Sequence, residues 1–355
     1  MEVYRMQKKL IAAVLFAAVA TGLFAYNPPA GGQNLFRITE PQLLTGAGSS
    51  AGGAIFGVTP ASIVNNPALT AYEQRIVLDV AGTMLFNSKD SDHSVGSAFE
   101  GGLLIPTRWG VWSSVIQGIF VPFYDMQLGN NIALSTSFSK DITDMLSVGV
   151  GVNFGVFYGY KSDWTGSANL GALYRIGTVS FLKDVRFGAS LMNLGKMYTN
   201  TTVYGIYDGD DADMWPGIAT PRFGAAATIL SAGRMDLGLS TDISIPAFQN
   251  FVFDAGLKME FAKIVTLSTS WEYDAREFAQ GAKNIMPSVG LSIKFLFNSK
   301  DGSMMAEHGW QQSEMTVSGG WQQLYKNVNA VSTGAVLDLG LKDTKAPEIT
   351  LWGEE

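Results

Sequence analysis

From Arg234 to Ile245 the chain alternates residue by residue: Met235, Leu237, Leu239, Thr241, Ile243 and Ile245 fall on one side, Arg234, Asp236, Gly238, Ser240, Asp242 and Ser244 on the other. Phe251 to Phe261 repeats this, with Phe251, Phe253, Ala255, Leu257, Met259 and Phe261 opposed to Asp254, Gly256, Lys258 and Glu260. Pro287 to Phe297 does so again. A period of two belongs to the β-strand, whose successive side chains point to opposite faces. Globular strands average about five or six residues, whereas a tilted strand crossing a bilayer needs about nine to eleven, the length that recurs here.

A soluble sandwich also alternates, so the chemistry of the polar face has to decide. Gly149, Gly151, Asn153 and Gly155 oppose Val148, Val150, Val152, Phe154 and Val156. Small residues on the polar side suit a barrel lumen that leaves room for a plug or ligand, while the apolar side meets lipid. The alternating segments predict an all-β fold, a transmembrane antiparallel barrel of about fourteen strands. Their predicted spans are 75–86, 95–106, 108–121, 131–139, 145–158, 166–176, 185–194, 220–230, 233–245, 251–261, 263–273, 285–297, 313–323 and 330–341. Joins after even-numbered segments are mostly tight, and those after odd-numbered ones include the polar stretches Gly195 to Ala219 and Asp274 to Asn284. Short turns on one side and longer loops on the other place both termini of the barrel on the periplasmic side. Asn298 to Gln312 departs from this by being long for a periplasmic turn. Trp109, Trp112, Tyr158, Trp164, Trp271, Tyr273 and Trp321 fall near strand ends, where aromatic girdles form at membrane interfaces.

The N-terminus sets the compartment. Arg5, Lys8 and Lys9 precede an apolar run from Leu10 to Ala20 and then small residues, the layout of a secretory signal with cleavage near Ala20 or Ala25. The expected organisation is a signal peptide over 1–25, a glycine-rich segment over 26–74, a barrel over 75–341 and a polar periplasmic tail over 342–355. Only 15% of the 355 residues are charged, 40 are glycine and 12% are aromatic, which suits neither a helical bundle nor a disordered chain. Mean hydropathy is +0.15, spread through alternation. A net charge of -7 with no concentrated basic face argues against nucleic acid as a partner. The chain has no cysteine, which excludes disulfides, thiol nucleophiles, cysteine metal sites and a lipidated N-terminus. His93 and His308, the two histidines, fall in connections on opposite sides of the membrane, so no nucleophile gains a histidine base. No metal-ligand spacing or phosphate-cradling motif is present, and neither catalysis nor a cofactor is expected.

Between the signal and the first strand runs "GAGSSAGGAIFGVTPASIVNNPALTAY", Gly46 to Tyr72. Its small-residue run, "TPAS" at Thr59 to Ser62 and "NPA" at Asn66 to Ala68 resemble the N-terminal segment of the FadL-type long-chain fatty-acid transporter superfamily, including its PorV-like branch. That resemblance implies an N-terminal hatch inside a fourteen-stranded barrel, with Asn65, Asn66, Pro67 and Ala68 at the handover to the first strand. It also implies passive uptake of hydrophobic compounds such as long-chain fatty acids, an outer-membrane location, and assembly by the barrel-assembly machinery among outer-membrane lipid. The alternative it leaves open is a plugged scaffold for protein secretion or surface attachment, with a periplasmic or secreted protein partner; a simple diffusion pore is a third. No motif aligns the family's pocket residues. Alternation alone places Asp79, Arg108, Arg175, Arg186, Arg222 and Asp242 in the lumen, with Arg108, Arg186 and Arg222 as candidates to pair a fatty carboxylate. Three features depart from the family: a tail follows the last strand, the external loops are modest, and the chain is short.

Overall fold

The structure is a computed structural model that describes residues 26–46, 48–87, 95–121, 129–158, 161–199, 203–207, 210–217, 219–281, 286–325 and 328–341. The expected signal peptide, the tail and His93 lie outside the described residues.

Fourteen antiparallel strands close into one barrel in which every strand pairs with its sequence neighbours and the first with the last. They are β1 (Ile76–Asn87), β2 (Val95–Thr107), β3 (Gly110–Val121), β4 (Gly129–Asp141), β5 (Leu146–Tyr158), β6 (Ser162–Val179) and β7 (Leu182–Lys196). The second half comprises β8 (Thr220–Ala232), β9 (Met235–Ser244), β10 (Val252–Phe261), β11 (Val265–Asp274), β12 (Val289–Asn298), β13 (Gln312–Tyr325) and β14 (Val328–Leu339). Strands β6 and β7 are longer than their alternation predicts, because bulges carry the ladder across Ala168/Leu170 and Arg175/Gly177. Closure is complete: β1 meets β14 over the full register from Ile76↔Leu339 to Asn87↔Val328. The β11–β12 seam is the weakest, with four residue pairs from Val265↔Ile293 to Ser268↔Gly290.

The two faces are inverted relative to a soluble protein. Val80, Val150, Val152 and Phe223 are 63%, 54%, 55% and 58% exposed on the outside, while Asp79, Ser113, Gln117, Ser240 and Asp242 are buried on the inside. Hydrophobic side chains standing out along every strand, with polar ones enclosed, form a surface meant for acyl chains. Trp109 and Trp112 stand exposed at the end of the barrel that carries the short turns, and Tyr158, Trp164, Trp271 and Tyr273 at the other. No helix among the described residues is long and apolar enough to cross a membrane. The long connection 299–311 persists and contains a helical turn, Met304–Glu307, with Ser303 capping it through Ala306 N–H.

Residues 26–46 and 48–75 pack inside the barrel. They form short helical turns at Leu35–Thr39, Pro60–Val64 and Pro67–Thr70 and one α-helical turn, α1 (Pro41–Thr45). Proline at the first position of three of these turns presets the backbone where its missing N–H costs nothing. The segment enters at the long-loop end, where Pro29 and Gly205 form an isolated bridge and Asn27 accepts from and donates to the 203–217 stretch. It reaches Ile76 at the short-turn end. The main apolar core is therefore lumenal: Leu35, Ile38 and Leu44 of the segment pack with Ile119, Phe157 and Leu324 of the wall and with Tyr198, Val203, Ile206 and Trp215 of the β7–β8 connection.

Candidate functional site

The "NNPA" corner is a joint between the inner segment and the wall. Asn66 donates through Nδ2 to Ser50 O (2.8 Å) and to Ala172 O on β6 (2.9 Å), and its Oδ1 accepts from Ala68 N–H (2.9 Å), capping the turn Pro67–Thr70. The corner seats on glycines. A Cβ at Gly149 would lie 2.4 Å from the Pro67 carbonyl carbon, and one at Gly171 would lie 1.9 Å from Asn66 Oδ1. The small residues of the polar face thus make room for backbone of the same chain. Thr70 and Ser139 of β4 share a hydroxyl hydrogen bond of 2.8 Å.

Two of the arginines proposed from alternation hold the same segment. Arg222 on β8 donates to Asn65 Oδ1 (3.0 Å), to Gly48 O and to Asp242 Oδ1 (3.1 Å). Asp242 Oδ2 in turn accepts from Ser50 N–H (2.6 Å) and Oγ (2.8 Å). Arg186, fully buried on β7, donates to Ala51 O (3.1 Å) and Gly53 O and pairs with Asp184. Buried guanidiniums need several acceptors to offset their lost hydration, and here backbone carbonyls of 48–54 supply them. Arg175 stands 3.9 Å over the Tyr72 ring. Asp79 is buried beside Pro60 and faces the carboxyl of Glu100. Arg108 is different. It lies exposed on the two-residue β2–β3 turn with its guanidinium 4.2 Å over the Trp109 ring, so the alternation that placed it in the lumen is corrected: the strand has already ended at Thr107.

Toward the long-loop end the inner segment stops short of the wall and leaves a cavity of about 110 Å³. Phe36, Trp215 and Tyr198 form its aromatic side, Trp215 stacking on Phe36 at 6.4 Å and on Tyr198 at 5.1 Å. Opposite them Arg37 bridges Glu272 of β11 and, at 3.7 Å, Asp254 of β10. Burial opposes the Arg37 charge, but Glu272 and Asp254 more than offset it and hold the guanidinium above its ordinary value. Burial pushes the Tyr198 hydroxyl up, so it stays protonated. Sequence reasoning missed this cluster because Arg37 sits in a segment without period and Tyr198 and Trp215 in a presumed solvent loop. The loop's own composition was a signal: Tyr198, Val203, Ile206 and Trp215 are too apolar for a stretch that faces water.

No family model matches the chain, and no curated protein sequence does. Solved structures do. The toluene transporter TodX of Pseudomonas putida superposes with a TM-score of 0.51 at 8% identity, covering 86% of this chain and 99% of that one. A TodX deltaS2 mutant, described as a monoaromatic hydrocarbon channel, gives 0.51 at 10% identity over 86% and 100%. A FadL homologue of Pseudomonas aeruginosa gives 0.47 at 12% identity over 89% and 98%. With closure by fourteen strands and an N-terminal segment packed into the lumen, the chain has the fold of the TodX barrel.

Proposed function

We propose that the chain is an outer-membrane channel for passive entry of hydrophobic compounds, with residues 26–74 acting as a hatch that shifts to let them pass. The observation that carries this reading is the cavity of about 110 Å³ between the hatch and the wall, apolar and aromatic on one side and reachable from the long-loop end. A pocket of this make-up, aromatic on one side with a few polar groups opposite, suits a small hydrophobic molecule. Long-chain fatty acids are the class that the sequence resemblance implies. Movement of the hatch is required because Arg186, Arg222 and Asn66 fasten it across the lumen below the cavity.

The test is to lock the hatch. Paired cysteines at Thr70 and Ser139, whose hydroxyl oxygens lie 2.8 Å apart, place two sulfurs within reach of a disulfide in a chain that has no other cysteine. Oxidation is expected to abolish uptake of a hydrophobic probe into proteoliposomes, and reduction to restore it. Equal uptake by the oxidised and reduced forms would remove the moving hatch.

A scaffold that holds a protein partner is the second reading, favoured by how many hydrogen bonds fasten the plug and by the exposed helical turn Met304–Glu307 on the periplasmic side. A stoichiometric protein that co-purifies with the chain, and no saturable binding of a hydrophobic probe, is the outcome that selects it.

A further inference from the structure

The polar groups around the cavity are unbalanced in one direction. Asp254, Glu272 and Asp274 line it against Arg37 and Arg222, and Arg222 is matched from behind by Asp242. Arg276 and Glu277 nearby add one charge of each sign. Asp254 accepts no hydrogen bond among the described residues and has only the 3.7 Å approach of Arg37, whose Nη1 donates to Glu272. The Tyr198 hydroxyl, also on the lining, is buried and has no hydrogen-bond partner among the described residues. Unpartnered buried polar groups are rare in folded proteins, and acceptors left over beside an aromatic wall call for a donor.

A carboxylate ligand meets this site badly. It would bring a further negative charge to Asp254 and Glu272, and the guanidiniums that would receive it are already bound to Glu272, Asp242 and the hatch. An ammonium fits on both counts: it supplies N–H donors to Asp254 and the Tyr198 hydroxyl, and it neutralises the excess acid. We infer that the cavity takes hydrophobic amines, an apolar or aromatic body carrying a protonated nitrogen, in preference to fatty carboxylates. This rests on the channel reading above and narrows its ligand class.

The experiment measures binding of dodecylamine, dodecanol and dodecanoate to the full purified chain in non-ionic detergent at neutral pH, by calorimetry. The three probes share a chain length and differ in head-group charge. The amine is expected to bind tighter than the alcohol, and at least about tenfold tighter than the carboxylate. Glu272→Gln is expected to cut the amine-to-alcohol affinity ratio by about fivefold or more, a ratio that general loosening of the fold leaves in place. Tyr198→Phe, which removes a hydroxyl without a hydrogen-bond partner among the described residues, is expected to weaken the amine by about threefold. Dodecanoate binding as tightly as the amine, or dodecanol binding with no gain for the amine, overturns the inference and leaves the channel standing. Saturable binding of none of the three overturns both.

Discussion

Asn66 satisfies two carbonyls and one N–H with a single side-chain amide, one of the carbonyls lying on β6. Asn66→Ala leaves those buried groups without partners at roughly 1–3 kcal/mol each, less whatever water recovers. The expected result is a hatch that trypsin cleaves in the folded barrel, where the wild-type hatch resists. Gly171→Ala tests the same joint from the wall, since its methyl would meet Asn66 Oδ1 at 1.9 Å, and it is expected to expose the hatch equally. Gly319→Ala is the control: its nearest neighbour would be 3.8 Å away, and protease resistance should be unchanged. "NNPA" was legible as a rigid corner from residue chemistry, because Asn and Pro favour turns wherever they occur. Its partners Ser50 and Ala172 were not, being set by where β6 passes in space.

Helix α1 begins at Glu40, whose carboxylate accepts from Leu43 N–H at 2.6 Å while buried against the lumen wall. Burial raises its pKa from 4.5 to about 7, against the opposing pull of the Gln42 and Leu43 N–H groups and of Lys258. A carboxyl raised in the folded state binds its proton more tightly there, so this residue's contribution to docking is greatest below pH 4.5 and falls as pH rises to about 7. Protease resistance of the hatch should therefore be higher at the acid end of that window than above it. Glu40→Gln should flatten the profile, and an unchanged profile in that variant would assign the dependence to other groups. Among the strands, β11 and β12 share four residue pairs where β10 and β11 share ten. Local opening follows the shortest ladder, so amides from Thr269 to Asp274 are expected to exchange hydrogen faster than those of β10 at equal depth. The sequence placed both strands but not this asymmetry, since alternation marks which residues are extended and is silent on how far two neighbours stay zipped.

At the scale of the whole molecule, the barrel exists because each strand turns a greasy side outward. Val150 sits mid-strand on β5, 54% exposed between Phe138 and Leu170. Val150→Arg is expected to cost about 2–4 kcal/mol of folding free energy in lipid. Folding titrations in vesicles would show it, and a near-neutral result would deny that this face meets acyl chains. That face, the strand number and most strand limits could be read from the sequence, because the two-residue period is a local property of the backbone and the solvent on each side selects residues one position at a time. Which wall glycines seat which residues of the inner segment, and what Arg186 and Arg222 bind, were decided only by closure. It brings residues 48–66 against strands more than a hundred positions away. The cavity belongs to that second group. Gln33, Arg37, Tyr198, Trp215, Asp254 and Glu272 come from separate stretches of chain, and nothing short of the closed barrel makes them neighbours.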